Sequence, residues 1–262
     1  MTKPITGTKE WSTTSVNCVL GCTHRCRYCY ARADALRRKQ ITDPEEWGTT
    51  YNRVREKEVR KRRKLHDGTV MFPTTHDITP EFLDPCMDVI GKLLAAGNRL
   101  LIVSKPHLEC IGAICERFGQ YREQILFRFS IGAVTDSILR YWEPGATLYR
   151  ERWACLLSAC RCGFGTSVSC EPLLDATRAV ELFRELKPYV TDTVWLGKLN
   201  HIDTRVIPGT DPGEIARIKA GQTDASIRRI YGQLKDEPKV RWKESFKKVL
   251  GLKLAEDAGA DQ

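Results

Sequence analysis

Segments rich in β-forming residues alternate with segments of helical pattern along this chain of 262 residues. That alternation predicts an α/β fold built on a parallel sheet. Short apolar runs at 99–103 and 125–131 are bounded by polar residues, proline or glycine, as buried strands are. The length suffices for one large core in a single α/β domain.

The elements follow in order. Residues 11–19 form the expected first strand and deliver a cysteine-rich loop, and a helix is expected over 30–39. Residues 42–67 read as an insertion, a polar turn followed by a basic helix over 53–64. The second strand is expected at 69–73, and its helix at 80–96 starts on Pro80, where no helical donor is lost. Strands three and four occupy 99–103 and 125–131. A helix over 148–162 is stopped by Gly163. The fifth strand (164–169), a helix (176–186) and the sixth strand (193–197) complete six strands, and helices at 214–234 and 240–254 follow. The expected organisation is a domain over 1–210, carrying the basic insertion 42–67, with a C-terminal helical extension over 211–262 packed on it.

The net charge is +9 and the pI about 9.0. Such a surface favours polyanions, because lysine and arginine release counterions condensed on phosphates. The charge concentrates in 53–64, which reads equally as a solvated helix face or a nucleic-acid contact. No run approaches the length needed to cross a bilayer, and the N-terminus lacks an apolar signal core. A cytoplasmic protein with no membrane partner is expected. The 11 cysteines are an odd number, which argues against a disulfide framework.

Three of those cysteines stand together as Cys22-Thr-His-Arg-Cys26-Arg-Tyr-Cys29. Three thiolates on one loop can hold three corners of a [4Fe–4S] cluster. The fourth iron then has no ligand from this motif, and an open metal position usually signals chemistry. Spacing alone also admits a zinc site completed by Cys18 or His24, or a structural or electron-carrying cluster.

Cys22, Cys26, Tyr28 and Cys29 resemble the signature of the radical S-adenosylmethionine (SAM) superfamily. The resemblance implies that the open iron binds SAM and that one electron cleaves it to methionine and a 5'-deoxyadenosyl radical. It also implies a partial (βα)6 TIM-like barrel, which the six βα units match, here with C-terminal helices. In parallel barrels the site lies at the C-terminal ends of the strands.

The strand ends resemble those of spore photoproduct lyase-like proteins and of an uncharacterised phage-associated branch. The resemblance makes Thr75, His76 and Asp77 candidates for the SAM amino end, Lys105 for its carboxylate and Ser130 for its ribose. It places Tyr28, Glu171 and Asn200 with them as cofactor-binding residues, and Glu143-Pro followed by Arg150 and Arg152 resembles a Glu-Pro…Arg pattern of the same group. From the residues alone, Asp77 also reads as a helix cap before Pro80, His76 as a loop histidine and Lys105 as a solvated lysine. One departure stands out: Thr74 occupies the place of the lyase's hydrogen-donor cysteine, and an O–H bond is a far poorer hydrogen-atom donor than S–H. Cys170 and Tyr30 are the candidate catalytic residues, with packing the other reading for Cys170.

The resemblance implies an enzyme that modifies or repairs a nucleic-acid base or nucleotide by lyase-like radical chemistry. DNA or RNA would dock through 53–64, and an electron donor such as a flavodoxin or ferredoxin would supply the cluster. The alternatives are radical SAM chemistry on a peptide or small molecule, and a non-enzymatic, metal-bearing nucleic-acid-binding protein.

Overall fold

The computed structural model describes residues 5–260. Strand β1 (Thr14–Ser15) is followed by β2 (Val19–Leu20), helix α1 (Tyr30–Arg37), β3 (Arg53–Val54) and α2 (Glu56–Arg60). Then come β4 (Thr69–Phe72), α3 (Leu83–Ala95), β5 (Arg99–Ser104), α4 (Leu108–Arg117), β6 (Ile125–Ser130), α5 (Asp136–Trp142), α6 (Tyr149–Arg161) and β7 (Gly165–Cys170). The chain closes with α7 (Ala179–Leu186), β8 (Val194–Leu196), α8 (Ile202–Arg205), α9 (Pro212–Gly221), α10 (Asp224–Leu234), β9 (Val240–Trp242) and α11 (Glu244–Leu250).

The main sheet has seven strands in the order β1-β4-β5-β6-β7-β8-β9. Every pair in it is parallel, which gives the expected α/β architecture. A separate antiparallel pair joins β2 to β3, with Val19 opposite Val54 and Leu20 opposite Arg53.

Strand parity decides what each face carries, because successive side chains alternate. Phe72, Ile102, Phe127, Phe129, Val168 and Cys170 belong to the core under the helices. That core includes the stripe Cys86, Val89, Ile90, Leu93 and Leu94 of α3. The other face carries Met71, Leu101 and Trp195, packed with Trp11. Arg128 belongs to this inner face, its guanidinium carbon 4.6 Å from the Trp11 ring centroid and 5.3 Å from that of Trp195. It closes the interior below the strand ends, where Ser130 and Ser169 stand side by side in register.

Four expectations need correction. The first strand is short: after Val16 the chain leaves the ladder so that the Cys18 amide can donate to His76 Nε2 at 3.2 Å. The basic helix is only α2, since like charges three and four apart at 60–64 disfavour its continuation and Lys61 is already extended. The helix expected at 214–234 is two helices, because Thr223 is extended and its hydroxyl accepts from Ser226 N, starting α10 anew. Residues 240–254 begin with β9, a seventh strand, so the region expected to be helical contributes to the sheet. Helices α4 and α5 lie in stretches where no element was expected. Among the described residues no helix is long and apolar enough to cross a membrane.

Candidate active site

The cysteine loop leaves β2 through Gly21, whose φ of +73° suits glycine. A Cβ there would also lie 2.3 Å from Trp47 O. The loop is then pinned by backbone bonds. Cys22 N donates to Trp47 O at 3.1 Å, Arg27 N to Trp142 O at 2.8 Å and Gly145 N to His24 O at 3.0 Å. Gly145 is required for that approach, since a Cβ would sit 2.2 Å from Thr23 O. Cys29 caps α1, its sulfur accepting from Arg32 N at 3.5 Å.

A buried ion pair ties the loop to the sheet. Glu143 accepts from the Tyr28 hydroxyl and lies 2.5 Å from Arg152, both charged side chains being essentially without exposure. Arg152 also donates to Thr147 O at 2.8 Å and to Ser130 O at 3.1 Å. Burial would lower the Arg152 pKa, and the Glu143 carboxylate reverses that, holding it above its ordinary value.

Cys22, Cys26 and Cys29 face one cavity of about 650 Å³ at the C-terminal ends of the strands. Tyr28, Tyr30, Thr75, His76, Asp77, Lys105, Ser130, Glu171 and Asn200 line the same cavity. Cys170 does not. Parity turns it away with Val168 into the helix-side core, 1% exposed, while Ser169 faces the cavity.

Asp77 is the electrostatic centre beside the cysteines. Its Oδ1 accepts from Lys105 N at 2.7 Å and Ser104 Oγ at 3.0 Å. Its Oδ2 lies 2.9 Å from His24 Nδ1 and 3.5 Å from Lys105 Nζ. Burial would raise this carboxyl, but Lys105 and His24 outweigh it and hold it well below the usual range. Burial likewise opposes the charge on Lys105, and Asp77 more than restores it. Asp77 is therefore engaged at the end of β5 rather than capping the helix before Pro80. His76 is fixed by backbone at both nitrogens: Nδ1 lies 2.9 Å from Asp77 O, and Nε2 accepts from Cys18 N. That pairing assigns the neutral Nδ1–H tautomer.

Burial raises the Cys22 thiol well above its ordinary range, with Asp77 and the other cysteines adding to the effect. Burial also pushes Cys26 up to about 12, although Lys105 opposes the shift. Three thiols gathered at one open cavity can bind iron as thiolates, the metal displacing the protons that burial and mutual repulsion otherwise hold. Cys22 Sγ, a His24 ring nitrogen and an Asp77 oxygen also lie within 4.8 Å of one another, close enough to share one metal ion. Cys18 takes no part, its sulfur lying 3.7 Å from that of Cys86.

Several site residues carry no signal in the sequence. Asn17 Oδ1 accepts from Thr74 N at 2.7 Å and Thr75 N at 2.8 Å, shaping the turn after β4. Lys243, fully buried, lies 2.7 Å from Glu10 and 3.4 Å from Glu171. Its partners are far apart in sequence and no local motif announces them.

No family model matches the chain. An uncharacterised protein of Acidianus two-tailed virus, ORF301, is 22% identical over 182 residues, which cover 65% of this chain and 59% of the viral protein. The match thus spans less than two thirds of that relative's length. Among solved structures, a spore photoproduct lyase variant with dinucleoside spore photoproduct superposes with a TM-score of 0.57 and 15% identity, covering 92% of this chain and 78% of the lyase. SuiB of Streptococcus suis bound to S-adenosylmethionine superposes with a TM-score of 0.55 and 10% identity, covering 94% of this chain and 54% of SuiB. Both neighbours are radical SAM enzymes, and this chain has their fold.

Proposed function

We propose that this chain is a radical SAM enzyme acting on a nucleic-acid base or nucleotide. The observation that carries the class is the placing of Cys22, Cys26 and Cys29 on one wall of a cavity at the C-terminal ends of the strands. A [4Fe–4S] cluster held there, with SAM, would supply one-electron cleavage of the sulfonium and a 5'-deoxyadenosyl radical.

The chain's own residues then have separable tasks. Cys22, Cys26 and Cys29 would hold the iron as thiolates. Lys105, kept charged by Asp77, offers an ammonium to a carboxylate in the cavity. Ser130 stands at the end of β6, where a ribose hydroxyl can be bound, and Thr75 and Asp77 bound the amino end. Tyr30 lines the cavity beside Cys29, its hydroxyl donating to Thr74 O. Cys170, outside the cavity, is not part of this proposal, and Thr74 does not replace the lyase's donor cysteine. Electrons would come from an external carrier such as a flavodoxin or ferredoxin.

Two observations favour a nucleic-acid substrate. The exposed Arg53, Arg55, Lys57, Arg60, Lys61, Arg62 and Lys64 flank the β2–β3 pair that carries the cysteine loop. One structural neighbour holds a dinucleoside lesion. A peptide substrate is the second reading, since SuiB superposes on this chain in its complex with precursor peptide SuiA, with a TM-score of 0.51.

Anaerobic reconstitution with iron and sulfide, then SAM and a reductant, tests the class. The wild-type chain should form 5'-deoxyadenosine, and Cys26→Ala should abolish it. Added DNA, RNA or nucleotides should stimulate the reaction. Stimulation by a peptide instead would favour the second reading, and zinc without iron would favour a metal-bearing binding protein.

A further inference from the structure

The cavity is lined by charged side chains of both signs. Glu171 and Glu244 line one part of its wall, with Asn200 between them. Asn200 Nδ2 lies 3.4 Å from Glu171 Oε1 and 3.4 Å from Glu244 Oε1. With the amide nitrogen turned to the carboxylates, the Asn200 oxygen is left as a further acceptor.

Behind this wall the positive charge is already committed. The Lys243 ammonium serves Glu10 at 2.7 Å, Gly7 O at 2.8 Å and Glu171 at 3.4 Å. Glu244 adds a further carboxylate to the same wall, its Oε2 accepting from Ser245 N at 2.9 Å and its Oε1 lying 3.9 Å from the half-exposed Lys248 ammonium, so among the described residues no buried cation besides Lys243 serves this wall.

Lys198 and Arg205, both partly exposed, line the same cavity. Among the described residues neither cationic group has a hydrogen-bond or ion-pair partner. Unpaired cations and a carboxylate–amide wall in one cavity fit one bifunctional ligand, anionic at one end and rich in N–H donors at the other.

We propose that the cavity takes a nucleotide unit whose base carries an exocyclic amino group, the phosphate held by Lys198 and Arg205 and the amino edge by Glu171, Glu244 and Asn200. This deepens the reading of the site as one for a nucleic-acid base and rests on it. It assigns Glu171 and Asn200 to the substrate rather than to SAM. Carboxylates accept from the amino group of a base such as cytosine. Thymine and uracil present carbonyl oxygens at that place, which a carboxylate wall repels.

The test is equilibrium binding to the reconstituted protein with SAM present. The probes are the monophosphates of deoxycytidine, deoxyadenosine and thymidine, and the corresponding deoxynucleosides. The amino-bearing nucleotides should bind about tenfold tighter than thymidine monophosphate, as one good base contact gives. Glu171→Gln should bring that ratio toward one. Lys198→Ala with Arg205→Ala should weaken all three monophosphates alike and leave the deoxynucleosides unchanged, with the thermal midpoint checking that each variant is folded.

Equal or tighter binding of thymidine monophosphate, or no gain from the phosphate, would overturn the proposal. If 5'-deoxyadenosine forms from SAM while no nucleotide binds, this inference fails and the enzyme class stands. If the base preference appears without any SAM cleavage, the binding site stands and the enzyme class fails.

Discussion

Replacing Arg152 by methionine is the sharpest structural perturbation available. The substitution leaves Glu143, 2% exposed, without its cation, and leaves Thr147 O and Ser130 O without their donor. Breaking a buried pair by removing one partner costs about 3–5 kcal/mol. Each orphaned carbonyl adds roughly 1 kcal/mol. A loss of about 5 kcal/mol or more is expected, and for a chain of this size that lowers the thermal midpoint by roughly 10–20 °C. Urea unfolding of the metal-free protein measures it, provided the slope stays constant. Replacing Glu143 and Arg152 together by apolar residues of similar size should cost much less than the single change, because no charge is left stranded. A loss below about 1 kcal/mol in Arg152→Met, within reach of a surface substitution, would refute the reasoning. The same variant should load less iron, because Glu143 is also what holds Tyr28 in the cysteine loop.

Two further outcomes are expected. Burial, partly offset by Lys243, pushes the Glu171 carboxyl up to about 6, so it passes from mostly ionised at pH 7.5 to mostly protonated at pH 5. Preference for amino-bearing nucleotides over thymidine monophosphate should therefore fall as the pH drops through about 6; the phosphate's own second ionisation, at about 6, is common to all three probes and cancels in that ratio, and a preference constant from pH 7.5 to 5 would contradict the assignment. Single-stranded DNA should bind in a salt-dependent way. Neutralising Arg60, Lys61, Arg62 and Lys64 should flatten the slope by about 0.7 for each phosphate that the segment no longer neutralises, and an unchanged slope would make this segment a solvated surface only.

The parts of the site legible in the sequence are those whose information is local. Cys22, Cys26 and Cys29 share one loop, and their spacing alone announces a multi-thiolate site. Asp77, Lys105 and Ser130 are readable as strand ends in order, because a parallel sheet puts every such end on one rim. The placement of Cys170 is also within reach of the sequence: Val168 and Cys170 share a parity that Ser167 and Ser169 do not. Glu143 is visible in a Glu-Pro…Arg pattern, while the choice of Arg152 over Arg150 as its partner and its role in holding Tyr28 need the distances. Lys243 is not readable at all, since its carboxylate partners Glu10 and Glu171 come from opposite parts of the chain. Strand β9 is hidden for a related reason. Its three residues are too few for a periodic signal, and they are strand only because β8 lies beside them.

Metal and acid-labile sulfide analysis of anaerobically prepared protein, with electron paramagnetic resonance before and after SAM, bears most directly on the central claim. Iron and sulfide in equal amounts, a reduced-cluster signal that changes when SAM is added, and loss of both in Cys26→Ala are the predicted results. Zinc in place of iron, or a cluster signal indifferent to SAM, would contradict an open iron site on these three thiolates.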